Sequence, residues 1–319
     1  MAVATRVRKS PNAPGMTRSN LILTPALAAI YLFLSIAVVQ AVGQSATPGS
    51  ASILHAAPTH PFLWKVEGPT PSWLFGTIHS DDAKVATLPA SVIASLDSCK
   101  SFHPEVEAST DLAATVALQL FEPDIPDLAT RLSPALWRRV QRAGATVGLP
   151  EELLQRLRPG FAALLFSAPA NTSLGATVDG QLYDHAVGRN LAVAALETVD
   201  EQLALFKNLP DAQAIAALTE ALDELEAGRP ATKRLLAAYA SGDERAVTMV
   251  VAAEFASSPA ARALAEPLLY RRNQLMADRL VPHLKAGGAF VAIGVAHLTG
   301  PRSLIEQLRA RGWKITRVP

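Results

Sequence analysis

Two four-residue echoes supply the first residues able to do chemistry: Gly76-Thr77-Ile78-His79 and Gly294-Val295-Ala296-His297. Each has the form Gly-x-x-His, and each follows directly on an apolar, β-like run. Glu105 closes a third such run, in Phe102-His103-Pro104-Glu105-Val106-Glu107, and Glu197 follows a fourth, Leu191–Leu196. Neutral imidazole and carboxylate are the ligand types for Zn²⁺- or Mn²⁺-like ions. A centre with few protein ligands keeps a position open for water, whose pKa the ion lowers to about 7. A neighbouring glutamate can then act as general base. A lone Gly-x-x-His is a chance pattern and a lone histidine is usually structural. The pair together with a strand-end glutamate points instead to a divalent-metal site. In it His79, Glu105 and His297 are ligands, Glu105 doubles as the candidate base, and Glu197 lies one layer out. Mn, Co and Zn all suit such ligands.

A buried arginine adds to this set. In the helix expected over Pro267–Leu284, the apolar residues Leu268, Leu269, Leu275, Met276, Leu280 and Leu284 form one face at about 100° per residue. Arg272 falls inside that face, Asn273 at its edge, and Arg271 outside; Arg279 also lies near it. An inward arginine needs a carboxylate partner. Arg272 therefore reads either as half of a structural ion pair or as a group that orients Glu105 or binds a substrate carboxylate.

For these side chains to meet, the elements carrying them must share one edge. Phe62–Glu67 and Ser72–Ile78 read as strands of a hairpin around the turn Gly68-Pro69-Thr70-Pro71. Further strands are expected at Ser101–Val106, Leu191–Leu196, Ala289–Ile293 and Lys314–Val318. Helices are expected at Pro89–Ser98, across most of 111–166, at Asp179–Asn190, through 200–256 with breaks at Gly228-Arg229-Pro230 and Ser241-Gly242-Asp243, and at Arg302–Arg311. The fold class is thus α/β, a mixed α+β arrangement with a central β-sheet flanked by helices and a large helical middle section. Ligands of open α/β sheets bind beyond the carboxyl ends of the strands, where all four candidates fall.

The bulk composition excludes other classes. Half of the 319 residues are hydrophobic, and 29 basic residues balance 28 acidic ones for a net charge of +1, so no nucleic-acid footprint is present. The single cysteine, Cys99, permits no internal disulfide and no paired thiolate site. There is no P-loop, no His-Glu-x-x-His and no Gly-x-Ser-x-Gly. His55 and His60 fall in a Ser/Ala/Pro/Thr-rich linker, and His103, His185 and His283 read as structural. At the N-terminus, Arg6, Arg8, Lys9 and Arg18 precede an uncharged stretch whose segment 21–42 is strongly apolar. That pattern predicts a signal peptide or membrane anchor over 1–43, with cleavage or retention left open, then a linker over 44–60 and a folded domain over 61–319. The domain is expected to be exported, periplasmic or otherwise extracytoplasmic, and held at the inner membrane by 21–42 if uncleaved.

Pro61-Phe62-Leu63-Trp64-Lys65-Val66 followed by Leu74-Phe75-Gly76-Thr77-Ile78-His79 resembles the opening of TraB/GumN proteins, relatives of the animal Tiki proteins. The strand-end carboxylate is similar as well, with Glu105 preferred over Glu107. So are Asp179-Gly180-Gln181-Leu182, Ala195-Leu196-Glu197-Thr198 with Gln202, Tyr239 with Ser241-Gly242-Asp243, Arg272-Asn273, and Gly294-Val295-Ala296-His297-Leu298-Thr299-Gly300. The resemblance covers about 61–319. It implies a Tiki-like fold, akin to erythromycin esterase and haem-uptake ChaN folds, and a divalent-metal-dependent, peptidase-like hydrolase acting on a peptide or small acyl substrate. It also leaves open a non-catalytic protein that sequesters a peptide signal or a haem-like ligand, or an accessory factor for envelope polysaccharide.

Overall fold

A computed structural model describes residues 60–106, 116, 119–120, 125–167 and 174–318. The expected signal or anchor over 1–43, the linker up to Thr59, and Glu107 lie outside the described residues. Among the described residues, no helix is long and apolar enough to cross a membrane.

Six strands form one mixed sheet: β1 (Leu63–Val66), β2 (Ser72–Thr77), β3 (Ser101–Pro104), β4 (Ala192–Val193), β5 (Ala289–Gly294) and β6 (Ile315–Arg317), in the order β4-β3-β5-β2-β1-β6. β1 and β2 make the expected antiparallel hairpin, with Leu63 opposite Phe75. β6 adds antiparallel to β1. β2, β5, β3 and β4 run parallel to one another, so their carboxyl ends share one edge. β5 sits in the middle and is buried from Ala289 to Ile293, as a strand covered on both faces must be. Side chains alternate along it. Val291 and Ile293 join Leu74 in the larger core, while Phe290 and Ala292 join Leu63, Phe75 and Phe102 in a smaller one. β4 is only two residues long, against the six expected over Leu191–Leu196. Beyond it the chain stays tied to the β3 segment through Leu196 N–H to Pro104 O and Glu197 N–H to Glu105 O, both 2.9 Å. Glu197 therefore still arrives beside Glu105.

The helical middle section breaks where its punctuation predicts. Asp211–Glu226, Pro230–Ala240 and Glu244–Ala256 are separate helices. Gly242, at φ +67°, makes the second break, and a Cβ there would stand 2.5 Å from the carbonyl oxygen of His60. One expectation needs correcting. The helix expected over Pro267–Leu284 contains a π-helical turn, Glu266–Tyr270, before an α-helix over Arg271–Ala286. The wider turn takes up an extra residue and rotates the α-helix beyond it. Leu275, placed in the apolar face, is therefore 42% exposed, and Asn273, placed at its edge, is fully buried.

The Arg271–Ala286 helix also packs a histidine pair against the sheet. The rings of His103 and His283 lie 4.0 Å apart. His103 Nδ1 lies 2.9 Å from the Ala194 carbonyl and Nε2 2.9 Å from Ser101 Oγ. Burial first, and then the charge of His283, push His103 down to about 4. A folded-state pKa below the unfolded value of about 6.5 means the stabilisation is present above pH 6.5 and is lost as pH falls toward 4. The loss of unfolding free energy between pH 7 and 4.5 is expected to be about 2 kcal/mol larger in the native protein than in His103→Gln. Urea unfolding at the two pH values measures it, and equal losses would rule the histidine out as the cause.

Candidate functional site

Four strand-end segments and two helices deliver the site. His79 lies two residues beyond β2, Glu105 immediately after β3, Glu197 beyond β4, and His297 in the short helix Val295–Leu298 that follows β5. The Val178–Gly188 helix opens on Thr177, whose hydroxyl accepts from Gly180 N–H. That cap puts Asp179 in the first turn, where the helix dipole favours a carboxylate. The Arg271–Ala286 helix brings Arg272 and Asn273. All of these are buried: His79 7%, Glu105 6%, Asp179 8%, Glu197 6%, Arg272 7%, Asn273 0% and His297 3% exposed.

The side chains converge on Gly294, the last residue of β5. A Cβ built there would lie 3.4 Å from Glu105 Oε2, 3.6 Å from His79 Nε2 and 3.7 Å from His297 Cδ2. The Gly294 N–H also donates to Glu105 Oε2 at 3.0 Å. The structure thus brings His79, Glu105 and His297 around one point.

Each ring is oriented from behind. Asp179 Oδ2 stands 2.7 Å from His79 Nδ1. Asn273 Oδ1 stands 2.6 Å from His297 Nδ1, while Asn273 Nδ2 donates to the Arg302 carbonyl at 2.9 Å. The Arg302 contact fixes which end of the amide faces the ring. His297 therefore carries its proton on Nδ1, and its Nε2 is the basic nitrogen. Outer partners of this kind set the tautomer and direction of metal-ligating histidines.

Arg272 joins the two glutamates. Its Nη2 donates to Glu105 Oε1 at 2.5 Å and to Glu197 Oε2 at 2.6 Å, its Nε to Glu197 Oε1 at 3.0 Å, and its Nη1 to the Leu268 carbonyl at 3.1 Å. Gln202 Nε2 bridges the same carboxylates, 3.0 Å from each. Arg279 is not part of the cluster: it bonds Glu201 and the Leu196 carbonyl nearer the surface.

The electrostatics divide the two histidines. Burial pulls His79 down, but the charge and hydrogen bond of Asp179, then the charge of Glu105, leave it raised. Burial, then the positive charge of Arg272, lower His297 to about 4, so it is neutral at neutral pH. Burial works to raise Glu105, yet Arg272 first, then both histidines and the Gly294 N–H, hold it well below the usual carboxylate range. With both histidines neutral, as metal ligation requires, the formal charge of Asp179, Glu105, Glu197 and Arg272 would be −3 + 1 = −2, in a buried site. A divalent cation matches that charge, and two imidazoles with one carboxylate match its ligand preference. Glycine, lacking a Cβ, puts no side chain of its own among them. Among the described residues, no three His, Cys, Asp or Glu side chains are already drawn together as a metal-holding group.

Sequence reasoning gave no role to Asp179, Gln202 or Tyr239, which entered only through family resemblance. Tyr239 donates its hydroxyl to the Gly76 carbonyl at 2.8 Å and stacks on Phe62. It thereby ties the helical section to the end of β2.

The chain is 24% identical over 320 residues to metalloprotease TIKI1 of Danio rerio, covering 81% of this chain and 63% of that protein. It is 24% identical over 332 residues to metalloprotease TIKI2 of Xenopus tropicalis, covering 87% and 62%. With human metalloprotease TIKI1 it shares 23% identity over 81% and 62%. The chain thus spans a little under two thirds of the length of these relatives. No solved structure matches it. The TraB/PrgY/gumN family description matches residues 62–317, nearly all of the expected folded domain, and the chain belongs to that family.

Proposed function

We propose that this protein is an extracytoplasmic, divalent-metal-dependent hydrolase acting on peptide or other acyl bonds. One observation carries the reading: Glu105 Oε2, His79 Nε2 and the His297 ring gather at Gly294, 3.4–3.7 Å from where a side chain would begin. His79, His297 and Glu105 would hold the ion. When bound, such an ion supplies Lewis acidity toward a carbonyl and toward water. The protein's own residues do the rest. Asp179 and Asn273 fix the two rings. Arg272 keeps Glu105 ionised and aimed at the site, and Glu197 neutralises Arg272 from the far side. Release of Glu105 Oε1 from Arg272 frees a carboxylate oxygen to take a proton, while Arg272 becomes available to a substrate carboxylate. The names of the relatives support the peptidase class, and the basic head and apolar run of 1–43 support export.

The hold of Arg272 on Glu105 favours a second reading, in which the same fold binds a peptide or haem-like ligand without cleaving it.

Metal analysis of the purified protein beside His79→Ala and His297→Ala separates the two. Near-stoichiometric Mn, Co or Zn, lost in both variants, is the expected result. Metal retained in both variants would remove His79 and His297 as its ligands, and hydrolysis indifferent to chelators would remove the metal mechanism. No metal even after reconstitution would leave the binding-protein reading.

A further inference from the structure

Thr77 lies inside the first Gly-x-x-His, at the last position of β2, between the glycine that packs against Phe62 and the histidine of the site. Its side chain is 1% exposed, and its Oγ1 has no hydrogen-bond partner among the described residues. Other buried hydroxyls of this protein bond back to a carbonyl one turn earlier, as Thr299 Oγ1 does to the Val295 carbonyl at 3.2 Å and Ser167 Oγ to the Ala163 carbonyl at 2.8 Å. A strand offers no such carbonyl, and a valine would fill the same volume with no polar atom to satisfy. A hydroxyl kept at such a position needs a reason.

The register supplies one. Thr77 is paired with Gly294 in the parallel β2–β5 ladder. Partners in a ladder share a face, and residues two apart along a strand share it too. Phe75 and Thr77 on β2 thus stand on the face of Phe290, Ala292 and Gly294 on β5. It is on that face that a Cβ of Gly294 would meet Glu105 Oε2, His79 Nε2 and His297 Cδ2. The Thr77 side chain therefore emerges beside the space that the three donors surround. Trp73 Nε1 and Thr232 Oγ1 are also buried without a partner among the described residues, but neither residue is paired with Gly294.

We infer that Thr77 Oγ1 is a binding group of this site, hydrogen-bonded to the oxygen ligand that shares the space before Gly294 with the ion. The inference rests on the metal-site reading above. It makes the first Gly-x-x-His a two-residue contributor, with His79 as metal ligand and Thr77 as the group that positions the ion's remaining oxygen partner.

The test is Co²⁺ titration, followed by visible absorption, of the native protein, Thr77→Val and Thr77→Ser, with thermal unfolding of each. Thr77→Val is expected to keep or raise Tm, because it removes a buried unpartnered hydroxyl. It is also expected to weaken Co²⁺ binding about 10-fold and to change the absorption bands. Thr77→Ser should match the native protein in affinity and spectrum. Native-like Co²⁺ affinity and spectrum in Thr77→Val would overturn the inference and leave the metal site standing. So would a Tm loss in Thr77→Val with unchanged binding. A native protein that binds no Co²⁺ would overturn the site reading, and this inference with it.

Discussion

On the proposed metal-site reading, Gly294→Ala is expected to fold normally and to lose metal binding. Gly294 has φ −50° and ψ 131°, a conformation any residue adopts, so alanine meets no backbone strain. The added Cβ would touch its neighbours at 3.4–3.7 Å, ordinary van der Waals distances. Stability should therefore stay within about 1 kcal/mol of the native protein. The methyl group, however, occupies the space between Glu105 Oε2, His79 Nε2 and the His297 ring. An ion held at about 2.0–2.2 Å from two nitrogens and an oxygen would be crowded by that methyl group. The expected loss of Zn²⁺ affinity is at least about 100-fold, larger than the 10–100-fold typical of disturbing an outer partner. Calorimetric titration beside a thermal melt reads both quantities. Native affinity in Gly294→Ala would show that the ion, if bound, lies elsewhere. The matching glycine of the other motif does a different job. A Cβ on Gly76 would stand 3.0 Å from both Phe62 Cβ and Val295 Cγ2, so that glycine serves packing and not ligand space.

The likeness of the two motifs was visible in the sequence, and their difference was not, because it depends on what crosses each glycine in space. The same limit explains most of what could and could not be read. The hairpin of β1 and β2 was legible because Gly68-Pro69-Thr70-Pro71 forces a turn between two β-like runs. The shared edge was legible because His79, Glu105 and His297 each follow an apolar stretch. Asp179 was not: an acid in the first turn of a helix needs no explanation beyond the helix dipole, and it is 100 positions from the histidine it orients. Asn273 was placed at the edge of its helix because a 3.6-residue period was carried through Glu266–Tyr270, where the turn is wider. Arg272 was found by its position in an apolar face, yet whether it served structure or site stayed open. In three dimensions one guanidinium holds both Glu105 and Glu197.

That double hold makes Arg272→Met the most destabilising single change expected here. The substitution keeps much of the side-chain volume and removes the cation from between Glu105 and Glu197, which are 6% exposed each. Two carboxylates would then face each other in the interior with Gln202 as their remaining shared donor. Removing one partner of a buried ion pair costs about 3–5 kcal/mol, because the charge left behind is uncompensated. Lysine is no substitute: one ammonium cannot reproduce Nε and Nη2 on Glu197, Nη2 on Glu105 and Nη1 on the Leu268 carbonyl. The loss should also depend on pH in a definite direction. Without Arg272, burial and mutual repulsion raise the carboxyl pKa values in the folded state above their unfolded values. The folded variant then holds protons that the unfolded chain gives up, so its stability falls as pH rises through the raised pKa and recovers toward pH 4. Native Glu105 has the opposite sign, since its lowered pKa stabilises the fold above the unfolded pKa and is lost in acid. Urea unfolding of both proteins at pH 4.5 and pH 7.5 should therefore show the gap between them widening with pH. A gap below about 1 kcal/mol at pH 7.5 would mean that the two glutamates tolerate burial without the arginine. A divalent ion that binds beside Glu105 replaces part of the missing charge. Added Zn²⁺ should accordingly raise the Tm of Arg272→Met more than that of the native protein, by mass action on the folded state.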